Sequence, residues 1–153
     1  MKSFENKVAA ITGAGSGIGR ALALGLARQG CHVALSDVNS AGLKETAELV
    51  RKLGVKASEA LVNVADRDAV QAWADQVMAE YGQVNAIFNN AGVAQGGTVE
   101  GNDYADYEWV MSINFWGVVN GTKAFLPYLK SSGEGHIVNT SSIFGLFAQP
   151  GMS

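Results

Sequence analysis

The chain has 153 residues, 48% of them hydrophobic and 16% charged, with a formal net charge of −3. That is enough apolar sequence for one folded domain with its own core. No basic run occurs, which excludes the electrostatic footprint of a nucleic-acid binder or a polybasic membrane patch, and no apolar run approaches membrane-spanning length.

The polar start, Met1 to Lys7, lacks the long apolar segment of a signal peptide. The apolar run Val8-Ala9-Ala10-Ile11 then predicts a buried parallel strand over 7–12. Thr12-Gly13-Ala14-Gly15-Ser16-Gly17-Ile18-Gly19 follows, and Arg20 to Ala27 reads as a helix. Ile18, Leu22, Gly25, Leu26 and Gln29 fall on one side of it, with Gly25 placed for close approach to a sheet, and Gly30 ends it. Cys31 reads as a small core residue before a second strand over 32–36. With no second cysteine there is no internal disulfide, and a reducing, cytoplasmic setting is the expectation.

Asn39 and Ser40 cap a helix to about residue 52, with Leu43, Ala47, Val50 and Leu53 inward, and Gly54 stops it. A weaker third strand covers 56–62. Asp66 opens a helix with a clear stripe of Val70, Trp73, Ala74, Val77, Met78 and Tyr81, followed by Gly82. A fourth strand covers 84–88, and a loop over 89–103 carries Gly92, Gly96, Gly97 and Gly101. One long helix is expected over 104–129, with a wide apolar face from Tyr107 to Leu129 and its last turns distorted by Pro127. A fifth strand covers 135–140 and the remainder reads as loop.

Strands alternating with helices imply an α/β fold, a doubly wound, Rossmann-like parallel sheet with right-handed crossovers. The expectation is a single dinucleotide-binding domain over 1–153, incomplete after about its fifth strand. In such sheets ligands bind at the carboxyl ends of the strands, and every polar motif of this chain falls at one of those ends. The glycine stretch between strand and helix suits a pyrophosphate, because main-chain N–H groups and the helix dipole face the phosphate oxygens. Its residues Gly13, Ser16, Gly17, Ile18 and Gly19 are candidate cofactor contacts. The spacing matches neither G-x-G-x-x-G in register nor a Walker A loop. Asp37, at the end of strand two, either accepts hydrogen bonds from the adenosine ribose or helps to cap the next helix. In the first role it repels a 2′-phosphate and favours NAD over NADP. Asn63 and Val64 close strand three, and Asn89, Asn90, Ala91 and Gly92 close strand four; each pair reads as contact or turn. Asn114 lies among apolar neighbours in the long helix, as a satisfied core amide or a functional one. Ser141 and Ser142 cap a turn or hold a substrate oxygen. His32 and His136 are isolated, so no metal site is expected.

Together Thr12-Gly13-x-x-x-Gly17-Ile18-Gly19, Asn89-Asn90-Ala91-Gly92, Asn114 and Ile137-Val138-Asn139-x-Ser141-Ser142 resemble the short-chain dehydrogenase/reductase family in its shorter form. The resemblance runs along essentially the whole chain. It implies an NAD(P)-dependent oxidoreductase of alcohols and carbonyls. The glycine motif would hold the pyrophosphate, Asp37 the ribose, and Asn63 and Val64 would flank adenine. Asn90, Ala91 and Gly92 would line the cleft, Asn114 would anchor a water, and Ser142 would orient the substrate oxygen. The family usually has Asp where Asn63 stands. Its acid/base Tyr with a Lys four positions on has no match: Tyr81, Tyr104, Tyr107 and Tyr128 are followed at that offset by Asn85, Glu108, Met111 and Ser132. The spacing puts that Tyr just past Ser153, so the chain by itself is expected to be inactive. The long helix also implies a homo-oligomer. Two other readings fit parts of the pattern. One is a non-catalytic NAD-binding module; the other is an S-adenosylmethionine methyltransferase, against which the Asn-Asn-Ala-Gly stretch and the serine pair argue.

Overall fold

The computed structural model describes residues 3–147 and Gly151. Its elements run β1 (Val8–Thr12), α1 (Gly17–Ala27), β2 (His32–Asp37), α2 (Ser40–Arg51), β3 (Ala57–Leu61), α3 (Arg67–Tyr81), β4 (Ala86–Asn89), α4 (Tyr104–Met111), a π turn (Ser112–Trp116), α5 (Gly117–Ser131), β5 (His136–Asn139) and a 3₁₀ turn (Ile143–Gly145). The five strands form one parallel sheet in the order β3-β2-β1-β4-β5. The chain moves outward from β1 to β3, then returns to place β4 on the other side of β1. The strand order reverses between β1 and β4, and that reversal opens a crevice at their carboxyl ends.

Period-two alternation in β1 divides the core. Ala9 and Ile11 face a layer built with Ala23 and Leu26 of α1 and Leu43 and Val50 of α2. Val8 and Ala10 face the opposite layer, where Val70, Trp73 and Val77 of α3 meet Phe125 and Leu129 of α5. Trp73 and Phe125 pack edge to face at 5.0 Å between ring centroids. Both faces of the central strands are thereby covered, and β1 is buried at every residue.

The elements differ from the sequence expectations in several places, each for a physical reason. The buried face of α1 is Gly19, Ala23, Leu26 and Ala27, while Ile18 is 63% exposed. A Cβ at Gly25 would meet no atom within 4 Å, so Gly25 does not approach the sheet. Leu53 is likewise exposed beyond the end of α2. Strand β2 extends to Asp37, β3 ends at Leu61, and β4 is displaced to Ala86–Asn89, because pairing with neighbours fixes the ends. The expected single helix over 104–129 is two helices with a π turn between them. The second continues through Pro127 to Ser131.

Candidate functional site

Thr12 ends β1 with its side chain buried, and its hydroxyl organises the crevice. Thr12 Oγ1 accepts from the backbone N–H of Asn90 at 2.9 Å and of Ala91 at 3.0 Å, and donates to the Phe88 carbonyl at 3.3 Å. Asn90 answers from the other side: its Nδ2 donates to the Thr12 carbonyl at 3.1 Å and its Oδ1 accepts from Thr140 Oγ1 at 3.1 Å. The loops that leave β1, β4 and β5 are therefore tied together, and Asn90 spends its side chain on that tie.

Above this junction the glycine turn enters α1. A Cβ at Gly19 would land on the Gly13 carbonyl, so only glycine lets the helix start this close to the strand end. At Gly17 a Cβ would meet no protein atom within 4 Å, and the backbone has φ +50°. That space lies open beside the first turn of the helix. Ser16 occupies the N-cap position and makes no side-chain cap bond. In contrast α2, α3 and α4 are capped by Asn39, Asp66 and Asp103. The start of α1 thus keeps its orphan N–H donors and positive dipole end for something else.

Asp37 sits half-buried at the end of β2. Its Oδ2 accepts the Gly15 N–H at 2.8 Å and its Oδ1 accepts the Asn39 N–H at 2.9 Å. Ionised oxygens have further lone pairs, so both can still accept from a ligand hydroxyl. The two roles offered by the sequence meet here: Asp37 supports the turn into α2, although Asn39 is the side chain that caps the helix.

A cleft of about 370 Å³ runs across these strand ends. Gly13, Ser16, Gly17, Ile18, Gly19 and Asp37 line one side of it. Asn63, Val64, Asn90, Ala91 and Gly92 line the rest, beside Val38, Val62, Val93, Ile113 and Thr140, which the sequence did not single out. Asn63 is exposed, and its Oδ1 accepts the Ala65 N–H at 3.0 Å. Val64 is buried, and α5 crosses close over it because residue 117 is glycine; a Cβ there would meet Val64 Cγ2 at 2.6 Å. The missed residues all flank ones that the sequence singled out, Ile113 beside Asn114 and Thr140 beside Ser141 among them. Val38, Val62, Val93 and Ile113 each stand one position from a nominated residue, Asp37, Asn63, Gly92 and Asn114.

The two residues nominated for chemistry lie elsewhere. Asn114 sits in the π turn, and its amide pairs with Val93 in both directions: Oδ1 accepts the Val93 N–H at 2.8 Å and Nδ2 donates to the Val93 carbonyl at 2.8 Å. Its link to the cleft is through Val93. Ser142 does not line the cleft. Its Oγ accepts the Phe144 N–H at 3.3 Å and caps the short 3₁₀ turn, leaving its own O–H to donate elsewhere. Among the described residues no three His, Cys, Asp or Glu side chains gather to hold a metal ion. The cleft therefore offers unpaired amides at the glycine turn, a fixed carboxylate beside them, and small or branched apolar side chains around both. It suits an extended ligand carrying an anionic middle and a vicinal diol.

Comparison with known proteins bears on this arrangement. The family model described as short chain dehydrogenase matches residues 7–153. The chain is 54% identical over 153 residues to SadH of Mycobacterium tuberculosis, covering 100% of this chain and 55% of SadH. It is similar to the solved structure of a short chain dehydrogenase/reductase from Burkholderia phymatum in complex with NAD, with TM-score 0.95 and 40% identity, covering 99% of this chain and 54% of that one. It is also similar to carveol dehydrogenase from Mycobacterium avium in complex with NAD, with TM-score 0.93 and 32% identity, covering 97% of this chain and 58% of that one. The chain thus spans little more than half the length of each of these relatives. No helix among the described residues is long and apolar enough to cross a membrane. The five-stranded doubly wound sheet, the uncapped glycine turn and the family match agree: this chain belongs to the short chain dehydrogenase family.

Proposed function

We propose that these residues supply the NAD site of an oxidoreductase that moves a hydride between nicotinamide and a secondary alcohol or ketone. The carrying observation is the pairing, in one cleft, of an uncapped helix start with a carboxylate fixed by two backbone amides. The unpaired amides at the start of α1 would hold the pyrophosphate. Asp37 would accept the ribose hydroxyls, with adenine lying among Val38, Asn63 and Val64. Asn90, Ala91 and Gly92 would form the floor. A 2′-phosphate would bring like charge against Asp37, so NAD is favoured over NADP. NAD, when bound, supplies the hydride acceptor; the protein positions it. Ser142 would donate its free hydroxyl hydrogen to the substrate oxygen and stabilise charge there. Asn114 would act through Val93, holding the rim of the cleft rather than touching reactants.

Calorimetry tests the site. NADH is expected to bind, and NADPH to bind about tenfold or more weakly; no heat with NADH overturns the reading. A second reading, a non-catalytic NAD module, has its own observation: no Tyr in these 153 residues has a Lys four positions later. A proton-transfer residue is missing from this set, so the 153 residues alone are expected to show no turnover. Steady NADH formation over a panel of secondary alcohols would refute that. Trp109, Met111, Phe115 and Trp116 stay about half exposed on α4 and the π turn. A homo-oligomer that covers them is expected, and light scattering giving a clean monomer counts against it.

A further inference from the structure

Arg20 lies outside the cleft lining, yet its guanidinium grips the glycine turn from behind. Nη2 donates to the Gly15 carbonyl at 2.7 Å and to Glu45 Oε2 at 2.7 Å, and Nε donates to Thr46 Oγ1 at 2.9 Å. Thr46 is fully buried in α2, and its hydroxyl donates to the Gly42 carbonyl at 3.0 Å. The anchor is therefore a rigid helix, not a surface side chain. α2 also packs directly on the turn, since a Cβ at Gly42 would come within 2.6 Å of the Gly15 carbonyl oxygen.

The peptide between Gly15 and Ser16 is trans, so its C=O and N–H point in opposite directions. A carbonyl held toward Arg20 sends the Ser16 N–H the other way. Ser16 lines the cleft, and its N–H has no partner among the described residues. The preceding amide is held too, because Gly15 N–H donates to Asp37. Without Arg20 the Gly15 carbonyl would face Gly42, whose N–H is already taken by Asn39 Oδ1. Glycine at 15 allows that peptide to rotate at little cost. Among the described residues no other hydrogen bond would then hold the Gly15 carbonyl and so set the direction of the Ser16 amide.

We propose that Arg20 is a positioning residue for the anion-binding turn: by fixing the Gly15 carbonyl against α2, it aims the Ser16 amide into the cleft. The proposal rests on the dinucleotide reading of that cleft, and its test separates the two. The full chain and an Arg20→Met variant are titrated with NADH, which carries the pyrophosphate, and by NMR with adenosine, which carries the ribose and no phosphate. Arg20→Met is expected to weaken NADH about tenfold while adenosine stays within about twofold, as for loss of one charge-assisted bond. The Ser16 amide resonance is expected to move in the same variant. Glu45→Gln, at the exposed end of the network, is expected to change NADH binding less than about twofold. If Arg20→Met does not fold, Thr46→Val replaces it, with a smaller loss confined to NADH. Equal weakening of NADH and adenosine, or NADH binding unchanged in a folded variant, overturns the proposal. A parent chain that does not bind NADH overturns the dinucleotide reading instead, and needs no variant to show it.

Discussion

Single side chains in this protein act through what they hold in the backbone. Asp37 is the clearest case, because its carboxylate accepts two main-chain amides before any ligand arrives. Asp37→Ala leaves the buried Gly15 without its N–H partner. The expected cost is about 1–3 kcal/mol of stability, read from urea denaturation. NADH affinity is expected to fall in the same variant. Its preference over NADPH should fall with it, because the like charge is gone. Cys31 shows the opposite use of burial. Its thiol is fully buried, and burial pushes its pKa up to about 12 from the usual 9.0, against a smaller lowering by the Ala9 backbone. A raised thiol pKa means that the fold favours the neutral form. That contribution to stability is fully present below pH 9.0 and is lost as pH rises toward about 12. Cys31 is therefore expected to resist a thiol reagent in the native protein and to react on unfolding. Rapid modification at neutral pH with the fold intact would show that the strand end opens.

At the scale of elements, the break in the expected long helix is the main structural event. A π turn inserts one residue's worth of slack into a helix, and such turns gather at functional sites. Here the slack falls at Ser112–Trp116 and sets Asn114 against Val93, 21 positions away along the chain. Two hydrogen bonds with one backbone residue replace a regular helical packing and hold the glycine-rich loop after β4. Asn114→Ala removes both. The expected result is about 1 kcal/mol of lost stability and faster hydrogen exchange at the Val93 amide, with little change at β1. Unchanged exchange at Val93 would show that the loop is held by other contacts. The uncapped start of α1 belongs to the same scale. A helix start without its cap forgoes about 0.5–2 kcal/mol, and the helices α2, α3 and α4 take that gain.

For the whole molecule, the sheet order decides where everything meets. β1 and β4 are neighbours with 73 residues between the last of one and the first of the other, so the crevice joins segments from distant parts of the chain. A ligand lying across it touches the glycine turn and the ends of β2, β3 and β4 together. It should stabilise the fold as one unit. With NADH about a hundredfold above its Kd, linkage adds about 2.7 kcal/mol. For a domain of this size that raises Tm by about 5–10 °C. Thermal unfolding with and without NADH measures it, and an unchanged Tm at saturation would mean that the ligand does not prefer the folded state. At the sheet edge β5 pairs, among the described residues, only with β4, and each of its residues is exposed. It contributes Asn139, which accepts from Asn89 Nδ2 at 2.9 Å, and leads to Thr140 at the cleft.

The sequence by itself determined the alternation of strands and helices, because each apolar run and each stripe is a local pattern with its own period. It also determined which residues stand at the carboxyl ends. The residues nominated for the cleft, from Gly13 to Gly92, line it apart from Asn89, which is buried in β4, since a strand end is a local property and the parallel sheet gathers those ends on one side. The tertiary structure alone decided the partners. Thr12 takes the amide of Asn90, 78 positions away, and Arg20 reaches Thr46 across two elements. The face of α1, the break at Asn114 and the open space at Gly25 were likewise set by which helix lies against which. Periodicity states how often a chain must turn a side chain inward. It carries no record of what will be waiting there, because that depends on contacts closed only when distant segments meet.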